Sequence, residues 1–87
     1  MEFEWDETKR ALNLAKHGLD FANVERLDWD TAKVERDWRF DYGEERYIAV
    51  GTSDNSVFAV AFTLRRTVVR IVSFRPASRK EGRNYGA

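Results

Sequence analysis

Two apolar segments in the C-terminal half constrain the fold of this sequence more than any other feature. Residues 57–64 and 68–74 are nearly continuous runs of apolar side chains. Such runs are typical of strands at the centre of a sheet, because both faces of those strands are covered. Only residues 65–67 join the two runs, so we expect them to be neighbouring strands.

A short strand and two helices are predicted before these strands. The strand covers residues 3–5, and Asp6 is a good N-cap for a helix over residues 7–17. Asp20 caps a second helix over residues 21–27. The apolar residues of the first helix form a stripe that we expect to be buried, consisting of Ala11, Leu12, Leu14 and Ala15.

The remaining elements are strands over residues 31–38 and 46–52 and a short helix over residues 78–85, in which Ser78 and Glu81 have the spacing of a capping box. The predicted order is β-α-α-β-β-β-β-α. This is an α+β arrangement in which two N-terminal helices pack on a small, mostly antiparallel sheet and a short helix ends the chain.

Composition limits the class of protein. The 87 residues suffice for one domain, residues 1–87, and no apolar run approaches the roughly 20 residues of a membrane span. The chain has no cysteine, which excludes disulfides, thiolate zinc sites and cysteine nucleophiles and fits a reducing cytoplasm. The acidic N-terminus has no features of a secretory signal. We therefore expect a cytoplasmic protein without membrane contact.

The zero net charge conceals an asymmetry along the chain. Residues 1–54 have eight Lys and Arg against fourteen Asp and Glu, a balance of −6, whereas residues 55–87 have seven against one, a balance of +6. This separation has two interpretations. The C-terminal third forms a surface for a polyanion, or the two parts interleave in the fold and neutralise each other.

Four polar residues of the first predicted helix have the spacing of a single face: Lys9, Asn13, Lys16 and His17. This face either offers cations, an amide and an imidazole to one ligand or is an ordinary solvated face. His17 is the only histidine, so a histidine-based metal cluster is excluded.

Alternation along the last strand places Val69, Ile71, Ser73 and Arg75 on one face, and Val68, Arg70, Val72 and Phe74 on the other. Arg70 therefore interrupts an apolar face and needs a carboxylate partner, with Glu44 and Glu45 as candidates, or a cleft.

The segment from Arg75 to Tyr85 combines several cations, Glu81 and an aromatic ring. A guanidinium binds two phosphate oxygens at once, and a tyrosine can stack on an RNA base. The alternative is a solvated helix with Tyr85 packed on the core. No metal-binding or phosphate-loop motif occurs, so no cofactor is expected.

Three blocks of residues cover almost the whole chain. They read F-x-W-D-x-x-K-x-x-x-N-x-x-K-H-G-x-x-F from Phe3, D-Y-G-E-x-R-Y from Asp41 with Gly51, and F-T-x-R from Phe62 followed by R-I-V-S-x-R-x-A from Arg70 and E-x-x-x-Y from Glu81. In these blocks the sequence resembles the BrnT toxins of bacterial type II toxin–antitoxin systems, whose fold is similar to that of RelE and ParE toxins.

The resemblance implies a ribonuclease that blocks translation and is inhibited by a BrnA antitoxin, which binds DNA, in a hetero-oligomer that can contain a toxin dimer. For RNA cleavage without a metal, we expect a phosphate clamp, a base and an acid. The expected catalytic residues are Arg65 and Arg75 as the clamp, His17 or Glu81 as the base, and Tyr85 as the acid or stacking group. The expected RNA contacts are Lys9, Asn13, Lys16, Arg46, Arg70 and Arg79, with Lys9 assisting the clamp.

A different class of function also fits these residues. In this alternative the chain is a non-catalytic module that binds RNA or protein, such as an inactive toxin homologue retained as an antitoxin partner. Because one fold can host several targets, the residues of the site must decide between the two.

Overall fold

Five strands form one mixed sheet in the computed structural model, which describes residues 1–86. The strands are β1 (Glu2–Glu4), β2 (Lys33–Arg36), β3 (Tyr47–Ser53), β4 (Ser56–Arg65) and β5 (Val68–Pro76). Their order in the sheet is β1-β5-β4-β3-β2. The β1–β5 pair is parallel and the other three pairs are antiparallel. The predicted α+β class is therefore confirmed.

Two α-helices and a 3₁₀ helix accompany the sheet. They are α1 (Glu7–His17), the 3₁₀ helix (Phe21–Arg26) and α2 (Arg79–Gly86). The second predicted helix is thus a 3₁₀ helix, and the strand predicted over residues 31–38 is only the four residues of β2. Within residues 1–86, no helix has the length and apolar composition needed to cross a lipid bilayer.

The ends of the helices follow the predicted capping residues. The Asp6 carboxylate accepts hydrogen bonds from the N–H groups of Thr8 and Lys9 at 2.8 and 3.1 Å, which satisfies donors that the first turn leaves free. Before α2, the Glu81 N–H donates to Ser78 Oγ at 3.1 Å and the Ser78 N–H donates to Glu81 Oε1 at 2.8 Å. The predicted capping box is therefore confirmed.

The hydrophobic core lies between one face of the sheet and the segment that contains the 3₁₀ helix. We call this side of the sheet the core face and the opposite side the second face. The buried side chains of the core are Phe21, Val24, Leu27, Ala49, Val60, Phe62, Val69, Ile71 and Phe74. Aromatic rings close its margin, since Trp29 contacts both Phe3 and Phe62.

A β-bulge interrupts the pairing of the two central strands. Ala61 lies opposite Ser73, and the next residue of β4, Phe62, lies opposite Ile71. Val72 is therefore an extra residue in β5. An extra residue of this kind moves the following side chains to the opposite faces from those that uninterrupted alternation would give.

The bulge changes which side chains of β5 share a face. Phe74 joins Ile71 in the core, and Arg75 lies on the second face with Arg70. The predicted division, which grouped Arg75 with Ile71 and Phe74 with Arg70, is therefore wrong. Alternation alone carries no sign of an inserted residue.

Helix α1 is oriented differently from the prediction. Leu12 is 66% exposed and Leu14 is 42% exposed, and the remaining members of the predicted buried stripe, Ala11 and Ala15, are exposed too. The side of α1 that faces the protein carries Asn13, which is buried, with Arg10 and His17 half-buried. A polar residue therefore anchors this helix, and the predicted stripe is wrong.

Asn13 attaches α1 to the edge of β5. Its Nδ2 donates to the carbonyl oxygens of Phe74 and Leu19 at 2.8 and 3.0 Å, and its Oδ1 accepts from the Phe74 N–H at 3.1 Å. β1 pairs with β5 only up to Arg70, so the backbone of Phe74 has no strand partner on that side. The Asn13 amide takes the place of a strand there, which an apolar residue cannot do.

Two truncations test this packing. We expect Phe21→Ala, at a fully buried position, to lower the free energy of unfolding by about 3–5 kcal/mol, because it leaves a cavity in the core. Leu12→Ala should change it by no more than about 0.5 kcal/mol, because most of that side chain is already in water. Urea unfolding followed by circular dichroism measures both, and a large loss in Leu12→Ala would contradict the orientation of α1.

Candidate functional site

A groove lies on the second face of the sheet. It has a volume of about 370 Å³ and lies between β2, the loop that follows β2, and α2. Ile48 and Val50 of β3 form an apolar floor. Lys33 and Glu35 of β2 lie opposite these two residues and form one wall.

The other wall of the groove is α2, which contributes Lys80, Glu81, Asn84 and Tyr85. Lys33 Nζ donates to the Asn84 carbonyl oxygen at 2.6 Å and so connects the two walls. The Tyr85 hydroxyl lies 3.1 Å from Thr31 Oγ1, which fixes the half-buried ring at the end of the groove.

A bidentate ion pair joins β5 to α2 beside this groove. The two terminal nitrogens of Arg75 donate to the two carboxylate oxygens of Glu81 at 2.7 and 3.0 Å. The hydrogen bonds from Arg75, together with the Ser78 N–H, lower the pKa of Glu81 from its ordinary 4.5 to about 2. Glu81 is therefore a carboxylate at neutral pH, and its role here is to orient the guanidinium.

The loop after β2 is held by a second bidentate pair. Asp37 is buried and accepts from Arg39 Nε and Nη2, both at 2.9 Å, and from the Tyr42 hydroxyl at 2.9 Å. These bonds, led by those from Arg39, hold the pKa of Asp37 well below its usual range. The fixed loop presents Trp38 at the edge of the groove, with the Arg36 guanidinium 3.8 Å from the centre of its ring.

A separate charged cluster lies at the far end of the sheet. Arg65 Nη2 is 3.6 Å from Glu44, and the Arg46 guanidinium lies 4.1 Å from the centre of the Tyr42 ring. Arg65 lies opposite the first residue of β5, whereas Arg75 lies opposite Ala59, six residues earlier in β4. At about 3.3 Å per residue the two arginines are about 20 Å apart. The predicted clamp of Arg65 and Arg75 is therefore wrong.

Arg70 also has a different partner from the predicted one. Its Nη1 donates to Glu4 of β1, which lies directly opposite in the parallel pair. Glu44 pairs with Arg65 and Glu45 with Arg36. The prediction that Glu44 or Glu45 pairs with Arg70 is therefore wrong, because the sequence did not indicate that β1 lies beside β5.

The polar residues of α1 are divided by their position along β5. Glu4 lies opposite Arg70 and Asn13 contacts Phe74, so α1 runs in the same direction as β5. His17, about one turn after Asn13, lies toward the end that carries Arg75, whereas Lys9 lies about one turn before Asn13. Lys9 is therefore not beside Arg75.

The remaining predicted RNA contacts also differ in their surroundings. Lys9, Lys16 and Arg79 are exposed. The Asn13 amide makes the backbone hydrogen bonds described above, and the Arg46 and Arg70 side chains are half-buried against Tyr42 and Glu4. These contacts give Asn13, Arg46 and Arg70 structural roles.

The interleaving of charges explains part of the asymmetry along the sequence. Arg65 and Arg70 pair with acids of the first 54 residues, and Arg75 pairs with Glu81. In the part of the chain that the structure describes, the C-terminal cations without an ion pair are Arg66, Arg79, Lys80 and Arg83. Three of these four cations lie on α2, so the unpaired positive charge of the C-terminal third is concentrated on the helix that borders the groove.

Metal ligands are not grouped among the described residues. No set of three His, Asp or Glu side chains within residues 1–86 is arranged to hold a metal ion. Two of the three acids that line the groove instead pair with arginines, Asp37 with Arg39 and Glu81 with Arg75.

Comparison with known families identifies the group of proteins to which these features belong. Residues 5–81 match the family model described as the ribonuclease toxin BrnT of type II toxin–antitoxin systems. The chain belongs to the BrnT family. The predicted resemblance is therefore confirmed, and a ribonuclease toxin with an antitoxin partner and an RNA target is the class of protein that this BrnT family indicates. No curated protein sequence matches the chain significantly.

The BrnT match includes Arg75 and Glu81 but ends before Asn84 and Tyr85. Of the residues in or beside the groove, Arg75, Glu81 and Tyr85 were predicted as site residues. The sequence pattern did not single out Lys33, Trp38, Arg39, Lys80 and Asn84. One signal was available, since cations alternate with aromatic rings through residues 36–40. Residues 36–38 were predicted only as the end of a strand.

The Arg75–Glu81 pair predicts a pH dependence of stability. Because folding lowers the pKa of Glu81, its contribution is complete above about 4.5 and is lost as the pH falls toward about 2. We expect Glu81→Gln to lose stability at neutral pH and to show a flatter decline between pH 4.5 and 2 than the wild type. Urea unfolding at stepped pH measures this.

A matched control is Glu25→Gln, which alters an exposed acid without an ion pair in residues 1–86. Its decline below pH 4.5 should follow that of the wild type. If the Glu81→Gln curve also ran parallel to the wild type, the ion pair would contribute nothing to folding.

Proposed function

We propose that this chain is a metal-independent endoribonuclease that inhibits translation in the cytoplasm and cuts RNA at the Arg75 end of the groove. The observation that carries the proposal is the bidentate Arg75–Glu81 pair beside a groove lined by Lys33, Lys80 and Tyr85. A guanidinium held in one orientation is ready to bind two phosphate oxygens with its remaining donors.

The proposed reaction uses the 2′-hydroxyl of the RNA as the nucleophile. Its oxygen loses a proton and attacks the adjacent phosphorus, the bond from phosphorus to the 5′-oxygen breaks, and that oxygen takes up a proton. The products are a 2′,3′-cyclic phosphate and a 5′-hydroxyl. Arg75 stabilises the extra negative charge of the phosphorane, because such preorganised donors act most strongly where charge develops.

Glu81 is not the base in this proposal. Its pKa of about 2 makes it a poor proton acceptor at neutral pH, and both of its oxygens already accept hydrogen bonds from Arg75. His17 is the proposed base, because it lies toward the same end of β5 and histidine is the side chain that most often transfers protons in general acid–base catalysis. Tyr85, which lines the groove, is the proposed acid or stacking group.

The surroundings of this site also suggest which cations contact the RNA. Arg79 and Lys80 are exposed on α2 and have no ion pair in the described residues, so they are proposed to bind flanking phosphates, with Lys16 on α1 extending this surface. Arg65 at the far end of the sheet is left outside the active site.

We also propose that the antitoxin is of the BrnA type and that it blocks the groove. All four residues of β2 are exposed, and β2 is an edge strand beside the groove. An unpaired edge accepts an additional strand, and the cations of α2 favour an acidic segment. A partner strand on β2 would cover the entrance to the groove.

Purified protein should cut single-stranded RNA in EDTA and leave 2′,3′-cyclic phosphate ends. We expect Arg75→Ala to lower the cleavage rate about 10²- to 10³-fold, by analogy with the loss of one oxyanion-hole donor. Arg83→Ala is the matched control, because Arg83 is an exposed arginine of α2 that does not line the groove. Circular dichroism verifies that each variant is folded.

Three outcomes would contradict parts of this proposal. Cleavage that stops in EDTA and returns with Mg²⁺ would exclude the metal-independent mechanism. Loss of cleavage in Arg65→Ala but not in Arg75→Ala would move the active site to the far end of the sheet. RNA binding without cleavage by the wild type would favour the non-catalytic module.

In cells, we expect induction of this chain to arrest growth and to lower incorporation of labelled amino acids before it lowers RNA synthesis. Co-expression of a cognate BrnA-type antitoxin should restore growth, because the partner covers the groove. Arg75→Ala should not arrest growth even when it accumulates to the wild-type level. Normal growth with the folded wild type would indicate an inactive homologue.

A further inference from the structure

Trp38 is an exposed aromatic residue that the proposed cleavage does not use. The residue is 74% exposed and lines the groove. The Arg36 guanidinium covers one face of its indole at 3.8 Å from the ring centre. Most of the rest of the indole surface is accessible to solvent. Hydrogen bonds from Arg39 to Asp37 hold the loop that carries the ring.

We propose that the groove binds an unpaired nucleotide of single-stranded RNA, with the base stacked on the exposed indole of Trp38 and the flanking phosphates on Lys33 and Lys80. This inference rests on the proposed function only in taking RNA as the substrate. It adds a substrate subsite and makes Trp38 a determinant of affinity and of the requirement for a single strand.

The size and lining of the groove fit such a ligand. Its volume of about 370 Å³ lies within the range of about 300–1,000 Å³ that holds small organic groups. The floor of Ile48 and Val50 is apolar, which suits the face or edge of a base. Proteins recognise single-stranded RNA by stacking its bases on aromatic rings and guanidinium planes, and Trp38 with Arg36 supplies both.

The unpaired lysines of the groove suit a polyanion, and the exposed indole favours RNA over an acidic protein segment. The lining holds four cations, Lys33, Arg36, Arg39 and Lys80, and three acids. Arg39 pairs with Asp37 and Arg36 with Glu45, so Lys33 and Lys80 are the lining cations without an ion pair among the described residues. Of the three lining acids, Asp37 and Glu81 pair with arginines, and Glu35 has no ion pair among residues 1–86. Lysines on the two walls suit a phosphate backbone. The indole adds a stacking surface that fits the flat ring of a base.

Binding of a 2′-O-methyl oligoribonucleotide tests this subsite. This RNA cannot be cut because its 2′-hydroxyls are blocked, so its affinity for the full chain is independent of catalysis. By fluorescence anisotropy we expect Trp38→Ala to bind about tenfold more weakly and Trp38→Phe to recover most of the loss. Lys80→Ala should lower the slope of log K against log salt concentration by about 0.7. A duplex of the same sequence should bind more weakly than the single strand.

Phe40→Ala is the matched control. Phe40 is 69% exposed on the same loop, but its ring packs against Tyr42 and does not line the groove. Its affinity for the oligoribonucleotide should equal that of the wild type. Equal affinity in Trp38→Ala, or an equal loss in Phe40→Ala, would overturn the subsite.

The remaining outcomes distinguish this inference from the proposed function. Tight binding that depends on Trp38, together with no cleavage of ordinary RNA, would support the subsite and refute the nuclease. Cleavage of ordinary RNA by Trp38→Ala with an unchanged KM would do the reverse. If Trp38→Ala weakened only the complex with the antitoxin, the groove would be a protein interface and the inference would be wrong.

Discussion

The extra residue Val72 in β5 is the constraint on which the rest of this structure depends. Without it, uninterrupted alternation would turn Arg75 toward the core and Phe74 toward the second face. A guanidinium turned toward that core would lie among apolar side chains, where burying its charge is costly. The bulge therefore places an arginine on the outer face while keeping the phenylalanine in the core.

The same constraint determines where the groove lies. Because Arg75 emerges on the second face, its bond to Glu81 holds α2 on that face, on the other side of the sheet from the core and the 3₁₀ helix. Helix α2 has no buried residue and contains Gly82, so its own propensity and apolar contacts stabilise it little. Its capping box and its ion pair with β5 stabilise this helix instead. The ion pair thus orients the proposed phosphate-binding group and also attaches one wall of its groove.

Local chemistry explains what could be predicted from the sequence. Asp6, Asp20 and the Ser78–Glu81 capping box determine where helices begin, because each acts on backbone within a few residues. Contacts between distant parts of the sequence could not be predicted from such local signals. The parallel pairing that brings Glu4 to Arg70 and the backbone bonds between Asn13 and Phe74 join residues more than 60 positions apart. The exposed stripe of α1 was mistaken for a core face because apolar periodicity gives no information on which neighbour exists.

Some residues of the family blocks stabilise the fold, and others belong to the proposed site. Asn13 replaces a missing strand and Arg70 balances Glu4, and Arg46 packs on Tyr42, so these block residues maintain the sheet. Arg75 and Glu81 also stabilise the fold, and in addition they border the groove. Trp38 and Lys33 lie outside every block, yet they line the groove. Toxins that cleave RNA by the same chemistry need only the phosphate-binding end of such a groove in common. The residues that contact the neighbouring base can differ from one toxin to another without disturbing the fold. The loop after β2, held by Asp37 rather than by the core, is where such differences are structurally permitted.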